Sequence, residues 1–176
     1  DATIIEQEVF DYIIDRLRAY YLDRDVSADV FEAVSALSPT RPLDFDKRIK
    51  AVSAFRGLAE AESLAAANKR VGNILKKSSA DSVVAIDEDL FVEDAEKILF
   101  TTLSTLSQSV EPLFDEGDYE AALSQLSSLK DPVDAFFDSV MVMAEDEAIK
   151  NNRIALLNIM NQLFLRAADL SRLHQS

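Results

Sequence analysis

Lys69, Arg70, Lys76 and Lys77 fall within nine residues, interleaved with Asn68 and Asn73. Clustered cations and amides of this kind are suited to holding a phosphate backbone and touching base edges. From Lys47 to Lys77 stand eight cations (Lys47, Arg48, Lys50, Arg56 and those four) against Glu60 and Glu62, a net charge of +6 in 31 residues. The remainder carries −20 and the whole chain −14. The total repels nucleic acid, whereas the asymmetry points to a local basic patch or, more blandly, to two solvated helix faces. Other chemistries have thinner support. Asp87-Glu88-Asp89 and Glu145-Asp146-Glu147 are carboxylate groups of the sort used for acid–base work or hard cations. They lack the alternate spacing and central glycine of a calcium loop, and they stand in a polar stretch and at a helix start, where acids favour the dipole. With no Cys and a single His, His174, thiolate, Ser–His and multi-His metal chemistry are excluded. Three glycines leave no phosphate-cradling loop, and no nucleophile–base pair is evident. We therefore assign no catalytic and no metal-binding residue.

Two segments concentrate the unusual choices. In Leu64–Lys77, Leu64, Asn68, Val71 and Leu75 share one helical face. Asn68 on that face must find partners, and Gly72 inside a helix costs about 1 kcal/mol relative to Ala. Together they suggest a close backbone approach with a polar contact, or tight helix packing. In Pro132–Leu157, an apolar knot runs into the acids at 145–147, and a polar turn, Lys150-Asn151-Asn152-Arg153, follows. That turn either faces a ligand or bonds the neighbouring helices.

Helices must position these groups, because three Gly and four Pro leave few breaks and the apolar repeat is helical almost throughout. The first helix is expected from Thr3 to Arg24, with Ile5, Val9, Ile13, Leu17 and Tyr20 as its apolar stripe. Ser27 caps a short second helix carrying Val30, Val34 and Leu37, and the prolines of Ser38–Pro42 make a turn. Asp44 caps a third helix with Phe45, Ile49, Val52 and Phe55 inward and Gly57 as its stop. The fourth, alanine-rich, spans Glu60 to Lys77. Ser78–Asp89 reads as a loop, with Val83-Val84 a candidate extended piece. A long fifth helix covers Glu93–Glu116, and Pro112 should kink or end it. Asp118 starts a sixth, Asp131-Pro132 a seventh, and Asp146–Leu173 forms the last. The fold class is all-α, a bundle of seven or eight helices.

At 176 residues and 48% apolar, the chain suits one domain with a core of its own, spanning 1–176. Its longest run without a charge, Ile98–Val110, is 13 residues, short of the roughly 20 that span a bilayer. The first residue is Asp and no signal pattern follows, so we expect a cytoplasmic location and a piece of a larger protein.

The stretches LAAANKRVGNIL at 64–75 and FFDSVMVMAEDEAIKNNRIALL at 136–157 carry a resemblance. Together with Asp15-Arg16-Leu17, Phe164, Ala168-Asp169 and Leu173, they resemble the C-terminal region of the β subunit of bacterial two-subunit glycyl-tRNA synthetases, over roughly residues 8–176. The resemblance implies a helical anticodon-binding domain related to those of arginyl- and cysteinyl-tRNA synthetases, a class named for a short Asp-Ala-Leu-Arg motif. That literal motif is missing here, and the nearest match is Asp46-Lys47-Arg48-Ile49-Lys50-Ala51-Val52. The resemblance further implies a heterotetramer with an α subunit that activates glycine using ATP and magnesium, no cofactor in this piece, and tRNA-Gly as ligand.

An anticodon loop offers unpaired bases and a sparse backbone, so a few cations and amides suffice. Lys47, Arg48, Lys69, Arg70, Lys76 and Lys77 are the candidates for backbone contacts, and Asn73, Asn151, Asn152 and Arg153 for base edges. Tyr20, Tyr21, Phe45 and Phe55 are available for stacking, though each reads better as core. The rival to RNA recognition is a protein–protein module that docks subunits or domains. A stand-alone enzyme with a carboxylate site ranks below both.

Overall fold

The computed structural model describes residues 2–78 and 85–174. Among them are eight α-helices: α1 Ala2–Leu22, α2 Ala28–Ser35, α3 Pro42–Arg56, α4 Ala61–Lys77, α5 Asp94–Glu116, α6 Tyr119–Leu126, α7 Lys130–Ser139 and α8 Glu147–Leu165. Single 3-10 turns at Glu88–Leu90, Ser127–Leu129 and Leu170–Arg172 complete the described elements, and none of these is a strand. The fold is the expected all-α bundle. No described helix is long and apolar enough to cross a membrane.

The core is one cluster in which Phe31, Phe45, Phe55, Leu64, Leu99, Leu103, Phe136, Leu157 and Phe164 are almost wholly buried. α3 lies on α6, while α5 packs on α6, α7 and α8. α4 seats against α7, α8 and the 170–172 turn, and that turn also meets α2. Asp169 N–H donates to Ala33 O at 2.8 Å, and His174 N–H to Asp29 Oδ2 at 3.0 Å, so the last described residues are tied to α2.

Several boundaries differ from expectation for identifiable reasons. α3 begins at Pro42, whose fixed φ suits the first helical position, so Asp44 lies inside the first turn instead of capping it. α5 runs through Pro112 to Glu116. Past the proline, Gly117 at φ 72° and the bonds Asp118 N–H to Leu113 O (2.8 Å) and Gly117 N–H to Phe114 O (3.0 Å) close the helix in a Schellman arrangement. α7 starts one residue before Asp131, directly from the 127–129 turn, and Asp131 makes no cap. α8 stops at Leu165, well before Leu173, and the chain re-forms as a 3-10 turn. Asp146 does cap α8, accepting from Ala148 N–H and Ile149 N–H.

α1 is the least embraced helix. Its main neighbour is α2, and Tyr21 is buried against Phe31 and Phe45. Farther along the expected stripe, Val9 is 53%, Ile13 48% and Tyr20 48% exposed, so Tyr20 is not core. The side chain of Ile5 and the Val83-Val84 pair lie outside the described residues.

Candidate nucleic-acid interface

Alanines make α4 a strong helix former, and its apolar spacing decides which side is buried. Ala61, Leu64, Ala65, Ala67, Asn68 and Val71 face the core. Steps of three and four put Glu62, Ala66, Lys69, Asn73 and Lys76 on one outward line, with Arg70 and Lys77 beside it. All seven are exposed. Lys69, Lys76 and Lys77 make no ion pair with a described residue, and Arg70 lays its guanidinium over the Phe137 ring at 4.1 Å. The strip from Lys69 to Lys77 is about 12 Å long at 1.5 Å per residue. Lys76 and Lys77 also sit in the last turn of α4, where cations favour the helix dipole.

The other nominated cations are placed differently. Arg48 is locked into the protein. Its Nε donates to Asp44 Oδ2 (2.8 Å), Nη1 to Arg166 O and Ala167 O (both 2.8 Å) and Nη2 to Tyr119 Oη (2.9 Å). It also lies 4.3 Å from the Tyr119 ring centre, joining α3 to α6 and to the end of α8. The Asp44 carboxyl in this knot is pushed up by burial, but the Tyr119 hydroxyl and Arg48 more than reverse that and hold it below its ordinary value. Lys47 is exposed, but it lines a recess on the α6 side among Glu116, Asp118 and Glu120. It stands among acids, apart from the α4 strip.

The polar turn on α8 bonds its neighbours. Asn152 is 1% exposed; its Oδ1 accepts from Asp87 N–H and its Nδ2 donates to Asp87 O, both at 2.9 Å. Arg153 is buried with Glu96. Its Nε and Nη2 donate to the Glu96 carboxylate at 2.9 and 3.2 Å, and its Nη1 donates to Met141 O at 2.8 Å. Glu96 Oε2 also accepts from Val92 N–H and Glu93 N–H at the start of α5. Burial pushes the Glu96 carboxyl up, and Arg153 with those backbone donors brings it below its usual value. Both side chains are thus withdrawn from base edges, and of this turn's nominees only Asn151 remains exposed. Asn68 is satisfied within α4, donating to Leu64 O at 2.9 Å. Gly72 has open space where a Cβ would stand, so no close helix approach explains it.

Two cations of the 47–77 stretch, Lys50 and Arg56, stand outside the candidate set, and Lys50 pairs with Asp46 at 2.6 Å. Arg56, at the end of α3, borders a cavity of about 470 Å³ with Leu58, Ala65, Ala66, Lys69 and His174 among its walls. Its Nε lies 3.3 Å from Asp29 Oδ2, yet it is buried without a hydrogen-bond partner. Sequence spacing gives no sign of this, because Asp29 and His174 reach Arg56 only through the tertiary fold.

A family model described as the DALR anticodon binding domain matches residues 64–171, from α4 through the 170–172 turn. The glycine–tRNA ligase beta subunit of Vibrio vulnificus (strain YJ016) is 53% identical over 171 residues, 97% of this chain and 25% of that protein. Those of Photobacterium profundum and Marinobacter nauticus are each 54% identical, over 95% and 94% of this chain and 24% of each protein. The chain thus spans about a quarter of the length of the curated relatives it matches. A family match over more than half of the chain, with identity above 50% across nearly all of it, places this helical bundle in the DALR anticodon-binding domain family, in the form found in glycine–tRNA ligase beta subunits.

Proposed function

We propose that this domain binds the anticodon arm of tRNA-Gly and positions it for aminoacylation by a partner α subunit. The observation that carries this reading is the outward strip of α4, where Lys69, Arg70, Lys76 and Lys77 stand together without an ion pair to any described residue. The residues outside 47–77 carry a net charge of −20 and would turn a polyanion away, so approach is steered to the strip. The domain acts in this reading as a non-catalytic part of a cytoplasmic glycine–tRNA ligase. Glycine activation with ATP and magnesium takes place on the α subunit of a heterotetramer.

The test is binding of tRNA-Gly transcript by the full-length subunit in its assembled ligase, across a salt series and beside an anticodon-substituted transcript. Each phosphate contact contributes a log–log slope of about −0.7. Reversal at Lys76→Glu and Lys77→Glu is expected to flatten the slope by roughly two such contacts. Binding indifferent to these changes refutes the proposal.

A second reading rests on α1. Val9, Tyr12, Ile13 and Tyr20 are exposed along a helix whose main contact is α2. Such a face serves docking onto other parts of the subunit, alongside RNA binding or in place of it. Docking alone predicts that Ile13→Glu disturbs assembly while the α4 reversals do nothing.

A further inference from the structure

The cavity beside α4 lies at the head of the basic strip, and Lys69 belongs to both. Ala59, Ala61, Ala65 and Ala66 with Leu58 and Leu173 give it small aliphatic walls, and Arg56, Lys69, Glu62 and His174 give it polar ones. Its volume of about 470 Å³ falls within the range of sites that enclose small ligands. Arg56 distinguishes it from a packing defect. The side chain is one-third exposed, its Nε is buried and unpartnered, and its only described ionic neighbour is Asp29. A guanidinium has five N–H donors in a planar fork, and nothing described within the protein takes a hydrogen bond from them here. Arg48, one helix face away on α3, has its guanidinium bonded to four protein oxygens. Asp29 is itself taken up by backbone donors. Burial pushes its carboxyl up, and Ser27, His174 N–H, Arg56 and Val30 N–H more than compensate.

We infer that this cavity receives one unstacked nucleotide of the RNA loop whose backbone crosses α4, with Arg56 donating to its base edge or phosphate. The inference rests on the function proposed above and adds the place where sequence is read. Strip and cavity share a line: Lys76, Asn73 and Lys69 lead to Ala66 at the cavity wall, with Glu62 a turn beyond. A strand held by the strip therefore reaches the mouth within one helical turn of Lys69. The alanine walls leave room for a flat ring. Bases of single-stranded RNA are commonly splayed out and held by stacking and by hydrogen bonds to their edges.

The experiment uses the assembled ligase with a set of tRNA-Gly transcripts, each carrying one abasic anticodon-loop position. With the unaltered protein, one position is expected to stand out, its loss weakening binding about tenfold or more. Ala66→Leu, at an exposed position on the cavity wall, is expected to abolish that difference while leaving the salt slope unchanged. Arg56→Gln should do the same, and Ala66→Leu serves as the control for any folding loss when Asp29 loses its partner. The inference is overturned if both variants keep the unaltered pattern of abasic penalties, or if no position stands out. Failure of the strip is read separately, from the salt slope of the Lys76→Glu, Lys77→Glu protein, so either element can fall while the other stands.

Discussion

Replacing Arg153 by Met leaves the Glu96 carboxylate, 0% exposed, with the Val92 and Glu93 N–H groups but no countercharge. Removing one partner of a buried ion pair costs about 3–5 kcal/mol, a large part of the roughly 5–15 kcal/mol that holds a domain. With an m-value of about 2 kcal/mol/M, the urea midpoint falls by roughly 2 M. The loss has a pH signature. The folded Glu96 carboxyl lies below its ordinary 4.5, so in the unaltered protein it contributes stability above that pH, and this is lost as pH falls through the folded value. In Arg153→Met the countercharge is gone and only the Val92 and Glu93 N–H groups oppose burial, so the folded carboxyl moves up from its lowered position and this contribution shrinks. The gap between the two proteins should therefore narrow from pH 7 towards pH 3. Glu96→Gln combined with Arg153→Met should recover part of the lost stability, because it removes the buried charge and keeps an acceptor for Val92 N–H and Glu93 N–H. Urea unfolding followed by circular dichroism at several pH values measures all three. An unshifted midpoint in Arg153→Met, together with a fall in tRNA affinity, would refute the reasoning and return Arg153 to the RNA interface.

Two further expectations concern residues whose meaning the structure altered. Gly72→Ala should raise stability by about 0.5–1 kcal/mol, because the new methyl meets nothing within 4 Å and the helix gains propensity. Thermal unfolding checks it; a loss of tRNA affinity in the stabilised variant would mean that RNA backbone uses the open space. Arg48→Lys should cost about 2–3 kcal/mol by loss of the fork to Asp44, Tyr119 and the two carbonyls, and should leave the salt slope of tRNA binding unchanged.

The helical class and the two-faced character of α4 were legible in the sequence, because periodicity and alanine content are local properties. The elements that resisted reading were those decided by distant partners. Arg48 and Arg153 look like free cations until Arg166, Tyr119 and Glu96 are brought beside them. Pro112 reads as a break, but the closing bonds around Gly117 and the burial of Val110 and Phe114 hold the helix through it. α8 ends early because the chain turns at 166–169 to place Leu170 and Leu173 in the core, where a straight helix would not carry them. Arg56 was passed over for the same reason, its cavity being formed by α3, α4 and the last described residues together.

The tie between α2 and residues 169–174 also bears on how the chain is made. About 100 residues separate Val71 from Leu173, and the nascent chain lengthens at roughly 5–20 residues per second. α4 therefore leaves the ribosome some 5–20 seconds before the turn that covers its buried side. During that interval the buried side of α4 lacks the cover of that turn, and holdase chaperones have an apolar target. Closure of this bundle waits on the synthesis of residues 166–174, and chains stopped before Asp169 should appear first as poor yield.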